Sequence, residues 1–266
     1  MKYATFASLF ILFIFQGCSL KHVSFLEQKA TVTDKKECLI CEDDTSEFDD
    51  EFGEEDQDIF DPLSGYNRLA TSFNDTLFIH VLDPLSEGYA YILPKGVRDS
   101  LTMALHNIQF PIRFTNNILQ GKFRNASDEL ERFIVNSTVG VAGLFDPAKE
   151  YMHISEHNED FGQTLGYYGV GTGFHIVIPV LGPSNLRDIV GLTTDGYLSP
   201  LLYQKGLKHY KIPQNYAQAL GIYTLDAVNK NALHPGAYES LKKDAIDLYP
   251  FLRDVYEQKR NANIKQ

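Results

Sequence analysis

The sequence predicts a mainly α-helical fold of many short amphipathic helices, with one glycine-rich hairpin or loop. Three observations predict it. Apolar residues recur at helical spacings of three and four in successive stretches between Asp61 and Arg260. Proline and glycine interrupt these runs too often for long bundle helices. Finally, the segment DFGQTLGYYGVGTGFHIVIPVLGPSNLRD, Asp160 to Asp188, holds no Lys, Arg, Asp or Glu between Asp160 and Arg187. It is too rich in glycine for an ordinary helix.

The elements follow in order. Asp61-Pro62-Leu63 opens the first helix, because Asp can cap and Pro fits the first turn. Tyr66, Leu69, Phe73, Leu77 and Val81 then share one helical face, and Asp83-Pro84 is expected to end it. Val97, Leu101, Leu105 and Ile108 mark a second helix before Pro111. A third runs from Ile112 to Leu119 and stops at Gln120-Gly121. Ser127-Asp128-Glu129 caps a fourth, with Leu130, Phe133, Ile134 and Val141 expected inward. Phe174 to Val180 reads as a strand. Further helical stretches lie around 199–207 and 215–230, and a last one begins after Pro235 and runs toward Arg260, interrupted near Pro250. The apolar faces carry few charges. Either they build a generous core, or some point outward into lipid, as helices lying in a membrane interface do. Periodicity does not separate the two.

The N-terminus suggests where the chain works. Met1-Lys2 followed by an apolar run from Ala4 to Phe15 has the form of a signal peptide, too short to span a bilayer comfortably. Gly17-Cys18 looks like the end of a bacterial lipobox, with Cys18 as the acylated first residue of the mature chain; Phe15 and Gln16 depart from that pattern. An ordinary secretion signal cut elsewhere is the other reading. Ser19 after the cysteine favours the outer membrane. From Glu42 to Asp58 the chain holds eleven acids and no base, which accounts for the whole formal net charge of −11 and leaves the rest balanced. Such a block self-repels and reads as an extended tether, or as a docking segment for a basic partner. Cys38-Leu39-Ile40-Cys41 lies in this polar spacer, away from a strand-to-helix junction, so a local disulfide or no role fits better than a redox centre. The expected organisation is signal 1–17, acylated start and tether 18–60, helical domain 61–260 and tail 261–266.

Several chemistries find no motif. Gly169, Gly171 and Gly173 have the wrong spacing for a dinucleotide fingerprint, and no P-loop is present. Gly182-Pro183-Ser184-Asn185-Leu186 lacks the second glycine of a lipase elbow. His153 and His157 would share a helical face, with Glu156 or Asp160 as a third metal ligand, but surface or capping histidines are the better reading. A basic face interleaved with aromatics is missing, so no nucleic-acid partner is expected. No cofactor and no enzymatic activity are expected either.

A set of short pieces remains, in order: Asp61-Pro62-Leu63-Ser64-Gly65-Tyr66-Asn67-Arg68; Phe73-Asn74; Val81-Leu82-Asp83-Pro84; Arg132-Phe133 with Asn136; Gly140; Gly143-Leu144-Phe145-Asp146; Asp160 to Gly166; Tyr168-Gly169-Val170-Gly171 and Gly173; Pro179; Gly182-Pro183-Ser184; Arg187-Asp188; and Tyr249-Pro250-Phe251 with Arg253-Asp254 and Tyr256. Together they make the body similar to the MlaA (VacJ) lipoprotein family of Gram-negative bacteria. The resemblance implies an α-helical ring in the inner leaflet of the outer membrane, with an amphipathic channel. Such proteins remove phospholipids misplaced in the outer leaflet and pass them to a soluble periplasmic carrier, with an ATP-driven inner-membrane complex beyond. They associate with trimeric porins and keep the outer leaflet rich in lipopolysaccharide. A conduit of this kind needs a polar route for headgroups beside an apolar route for tails.

On that reading Phe161 to Pro183 is a glycine-kinked hairpin or loop that helps build the ring or its channel. Asp160, Gly162, Gly166, Tyr168, Gly169, Gly171, Gly173, Arg187 and Asp188 belong to it, and Asp160, Arg187 and Asp188 sit at its polar edges. A hairpin buried in an ordinary core is the competing reading. Asp61, Pro62, Gly65, Asn67 and Arg68 form the other signature. Arg68 is expected to pair with Asp83 or Asp188, or to meet a headgroup phosphate. A lipoprotein that stabilises porins or the envelope without moving lipid is the alternative function, and a lipid-degrading enzyme is a third.

Overall fold

The computed structural model describes residues 61–207, 210–243 and 245–265. Cys18, the Cys38/Cys41 pair and the acidic tether lie outside them. The described part is mainly helical, as the periodicities predict.

Helix α1 (Ser64–Leu77) begins three residues after Asp61. It does not stop at Asp83-Pro84. A π-helical turn, Phe78–Leu82, carries it straight into α2 (Asp83–Ile92), with Pro84 in the first turn of the new helix. A proline inside a helix clashes with the carbonyl four residues back, and a π turn is where that ladder is already broken. Next come α3 (Lys95–Ile108) and α4 (Phe110–Leu119), separated only by Gln109, with Pro111 in the first turn of α4. Helix α5 (Phe123–Thr138) starts four residues before Ser127, so the expected cap lies inside the helix. After the short α6 (Pro147–Glu150), residues 153–160 run without regular structure, and His153 and His157 are not on a helix.

The uncharged segment divides in two. Its first part is a helix, α7 (Phe161–Tyr167), started by the Asp160 carboxylate, which accepts from the Gln163 amide at 2.8 Å. Its second part is an antiparallel hairpin, β1 (His175–Ile178) and β2 (Gly182–Asn185), in register His175↔Asn185 and Ile178↔Gly182. Asn185 ends the hairpin and caps α8 (Leu186–Leu198) by accepting from the Asp188 amide at 2.8 Å. The expected helix around 199–207 is instead a series of turns: Ser199 is extended, Pro200 blocks continuation, and Gly206 has a φ of 104°. Helices α9 (Tyr216–Leu233), α10 (Ala237–Lys243) and α11 (Leu248–Ile264) follow. Residues 245–247, upstream of Pro250, lie outside a helix, and α11 runs on past residue 260 to Ile264.

The distribution of side chains is inverted relative to a water-soluble domain. The shared face of the first run points out, with Tyr66, Leu69, Phe73 and Val81 exposed, and so do Leu130, Ile134 and Val141 of the fourth, which the sequence predicts inward. The buried face of α5 is Ala126, Glu129, Arg132 and Asn136, and that of α4 is Arg113, Asn116 and Asn117. Among the described residues the buried apolar side chains are few and half of them alanine, whereas two dozen polar or charged residues are buried. Lys, Glu, Arg and Asp are seldom buried unless paired, so the interior has to be a paired polar network. No described helix is long and apolar enough to cross a membrane.

Candidate functional site: a buried polar network

The densest part of the interior lies where α4, α7, α8 and α11 meet. Helices α7 and α8 touch backbone to backbone: a Cβ on Gly191 would come within 2.4 Å of the Gly162 nitrogen. That approach, which only glycine allows, brings the start of α7 against the face of α8 that carries Arg187, Asp188 and Asp195. Arg260, reaching in from α11, binds both edges. It donates to the two oxygens of Asp160 at 2.6 and 2.9 Å and to Asp188 Oδ1 at 2.9 Å. Asp188 also accepts from Arg187 Nε at 3.1 Å and from the Tyr256 hydroxyl at 2.6 Å. A Cβ on Gly162 would strike Asp188 Oδ1 and the Arg260 guanidinium, and one on Gly166 would strike Ile264 and crowd Arg187.

The network extends through α4. Asn116 donates to Asp195 Oδ1 at 2.9 Å and accepts from the Thr164 hydroxyl at 2.9 Å. The Phe161 amide, unpaired as a first-turn amide must be, donates to Asp195 Oδ2 at 2.9 Å. Gln120 donates to Glu159, which also binds Lys122 at 2.8 Å. Further along, the fully buried Glu129 accepts from Arg113 Nε and from the His157 amide, both at 2.6 Å. Arg132 binds Asp146 at 2.6 Å, and Asn136 bridges Asp146 and the Ala148 amide. His157 Nε2 lies 2.9 Å from Asp128.

A second polar knot holds the hairpin to α1. The buried Asn67 donates to the His175 carbonyl and the Tyr249 hydroxyl, and accepts from the Val177 amide at 2.8 Å. Asn74 repeats the arrangement one face-repeat later, on the Ile178 carbonyl and the Val180 amide. One amphipathic helix thus anchors a hairpin through two asparagines seven residues apart.

Electrostatics follow from these pairings. Burial pushes the Asp160 carboxyl up, but the Arg260 charge, its hydrogen bonds and those from Gln163 win, and the group sits below the ordinary carboxylate value. Asp146 is likewise held low against burial by Asn136 and Arg132. Asp195 goes the other way: burial first, then the neighbouring Asp160 charge, raises it to about 7.

The predicted residues fall into three groups. Asp160, Gly162, Gly166, Arg187 and Asp188 are brought together, and Arg187 and Asp188 are buried in the network rather than placed at its edge. Asn67 sits in the second knot. Pro62, Gly65, Arg68, Tyr168, Gly169, Gly171 and Gly173 are at the surface, and the half-buried Asp61 stands before α1 without capping it, since α1 starts at Ser64 with no side-chain cap. Arg68 pairs with neither Asp83 nor Asp188; its partner is Asp247, at 2.5 Å, with both side chains about half exposed. Sequence reasoning missed Arg260, Asp195, Glu129 and the α4 amides. A signal existed: Arg113, Asn116, Asn117 and Gln120, and again Glu129, Arg132 and Asn136, repeat at helical spacing. Such a stripe reads as the wet face of a helix until its burial is known.

Comparison with known proteins bears on this architecture. The profile of the MlaA lipoprotein family matches residues 59–263. The intermembrane phospholipid transport system lipoprotein MlaA of Haemophilus influenzae is 29% identical over 201 residues, 74% of this chain and 76% of that one. Its counterpart of the same name in Escherichia coli is 27% identical over 212 residues, 79% of this chain and 80% of that one. A solved structure described as the structural basis for maintenance of bacterial outer membrane lipid asymmetry superposes with a TM-score of 0.64 at 25% identity, over 77% of this chain and 98% of that one. With most of its length matched by the profile, the chain belongs to the MlaA lipoprotein family.

Proposed function

We propose that this chain is a lipoprotein component of the system that maintains outer-membrane lipid asymmetry. On this reading Cys18 is acylated and anchors the chain in the periplasmic leaflet of the outer membrane. The body forms a ring with an amphipathic channel, takes phospholipid from the outer leaflet and passes it to a soluble periplasmic carrier. Trimeric porins hold it in place. The names of its relatives support the general role.

The observation that carries the reading is the inverted side-chain distribution. Exposed Leu69, Phe73, Tyr91, Ile92, Phe123, Ile134 and Val139 cover faces whose opposite sides bury Asn67, Arg113, Glu129 and Arg132. An apolar exterior of this extent marks an interaction surface, and in water it would drive aggregation. No described helix is long and apolar enough to cross a bilayer, and the apolar faces fit a membrane interface, where a helix lies flat. Irregular backbone such as the 168–174 loop is tolerated at membrane depth only when packed in protein or lining a cavity.

The test is outer-leaflet phospholipid on intact cells, labelled with a membrane-impermeant amine reagent. Deletion is expected to raise labelling, and the normal gene to restore it. A Cys18→Ala version is expected to restore it poorly. Unchanged labelling together with loss of porin would transfer the assignment to a scaffolding lipoprotein that moves no lipid.

A further inference from the structure

The knot at the α4–α7–α8–α11 junction contains three carboxyl groups, Asp160, Asp188 and Asp195, and two guanidiniums, Arg187 and Arg260. Arginine keeps its charge at any ordinary pH. The knot is therefore balanced only when one carboxyl is neutral. Geometry decides which one. Asp160 and Asp188 each bind Arg260, and Asp188 binds Arg187 as well. Asp195, 6% exposed, has no cation in ion-pair range among the described residues; its two oxygens face Asn116 Nδ2 and the Phe161 amide.

The groups around Asp195 can be taken element by element. From α4 it meets the neutral Asn116. The segment entering α7 offers Asp160, and Glu159, whose charge is spent on Lys122 and Gln120; α7 itself brings Gln163 and Thr164. Along α8, Arg187 and Asp188 lie two turns away and bind each other. From α11 come Arg260 and Tyr256, both engaged with Asp188. Among the described residues Lys211 is also near, and it gives its ammonium to the carbonyls of Gly196, Tyr197 and Ser199 at the end of α8. Among the described residues an ionised Asp195 is offset only by the two neutral N–H donors, Asn116 and the Phe161 amide, and by the Arg260 charge, which is already engaged with Asp160 and Asp188.

We propose that Asp195 holds a proton in the folded protein and that losing it loosens the α7–α8 crossing, making this junction a pH-sensitive latch on the glycine-rich loop and hairpin. The mechanism is electrostatic. An ionised Asp195 faces Asp160, the cap of α7, in a site where a lone charge is poorly solvated. The two helices are already in backbone contact at Gly162 and Gly191, so they have no slack to move apart while staying packed. The separation falls on α7, which leads into the 168–174 loop. The raised proton affinity of Asp195, with its midpoint at about 7, agrees with the geometry.

The test uses the full chain in phosphatidylethanolamine–phosphatidylglycerol nanodiscs. Infrared difference spectra are followed between about pH 5.5 and pH 8.5, alongside the thermal unfolding midpoint. Wild type is expected to show a protonated-carboxyl C=O band that titrates near pH 7. Its midpoint temperature should fall between about pH 5.5 and pH 7, while the folded state alone keeps the proton, and level off once the band is lost. Asp195→Asn is expected to lack the band and to have a flat midpoint across the same range. A band that persists unchanged in Asp195→Asn, or that is absent from wild type at about pH 5.5, overturns the proposal. Should Asp195→Asn not fold, the wild-type titration decides by itself, with Asp160→Asn as the second variant: removing the neighbouring charge should move the band's midpoint to lower pH, and an unmoved midpoint overturns the proposed coupling.

Discussion

Arg260, near the end of the last helix, holds Asp160, the residue that starts α7, through two hydrogen bonds of 2.6 and 2.9 Å between positions 100 apart in sequence. The same guanidinium binds Asp188 at the start of α8. One side chain therefore joins three helices.

Removing it should be severe. Arg260→Ala leaves Asp188 without its strongest partner in a buried site, a change that typically costs about 3–5 kcal/mol. Chemical denaturation is expected to show a loss in that range. Lysine should not rescue it, because one ammonium cannot span two carboxylates as a planar fork does. A loss under about 1 kcal/mol would mean that the network is dispensable.

Arg68 offers the contrast. It too is an arginine on an aspartate, Asp247, but both are half exposed. The Asp247 carboxyl is lowered chiefly by the Arg68 hydrogen bond. Exposed pairs contribute little to stability, so Arg68→Ala should leave the unfolding midpoint nearly unchanged. Normal outer-leaflet labelling in that stable variant would remove Arg68 as a headgroup contact.

Glycine positions should separate by geometry rather than by motif. Gly191→Ala drives a Cβ into the backbone of Gly162, where nothing flexible can yield, and overpacking of this kind costs about 1–3 kcal/mol or more. Gly171→Ala meets nothing within 4 Å and should stay within about 0.5 kcal/mol of wild type. Gly65→Ala, in the first turn of α1 with open space around it, should stabilise by roughly 0.4–1 kcal/mol. Denaturant midpoints of the three variants give the ordering directly.

The outward apolar face can be tested apart from stability. Leu69 is 74% exposed. Leu69→Gln should change folding stability by no more than about 0.5 kcal/mol. If that face enters lipid, it forfeits about 1.5–3 kcal/mol of burial and weakens vesicle association tenfold or more. Flotation in a Cys18→Ala background, where acyl chains cannot mask the effect, is the measurement. Equal flotation would place lipid elsewhere on the surface.

Acid should expose the paired carboxylates. Asp160 and Asp146 have folded values below the ordinary 3.8, so the stability each contributes is complete above that value and is lost as pH falls through the lower, folded one. Asp195 acts with the opposite sign: raised to about 7, it contributes most below 3.8 and progressively less as pH rises toward 7. These groups should therefore make the melting temperature peak at about pH 4 and decline toward pH 7. Asp146→Asn should blunt the acid limb alone.

Much of this fold could be read along the chain. Helical spacing located α1, α3, α4, α5 and α9, and the glycine-rich uncharged stretch, with Phe174 to Val180 read as a strand, marked the hairpin. The boundaries that failed did so for local reasons that spacing does not carry. Pro84 was absorbed by a π turn, Pro200 and Gly206 replaced a helix with turns, and α5 began without its serine. Of the site, Asp160, Arg187 and Asp188 could be picked out because they flank an uncharged segment, whereas Arg260 and Asp195 could not, since nothing within a few residues of either shows that it is buried.

What the sequence determined by itself is periodicity: which residues share a helical face, where a chain can turn, and where charge is absent. A helical pattern is symmetric, however, under exchange of inside and outside. Leu69 with Phe73 and Asn67 with Thr71 mark two faces of α1, and no local rule says which of them meets solvent. Only the tertiary structure decided it, because a buried Glu129 or Asn116 is tolerable solely when Arg113 or Asp195 arrives from another part of the chain to pair with it. Those partners are fixed by packing in three dimensions, and with them the apolar faces are left to point outward.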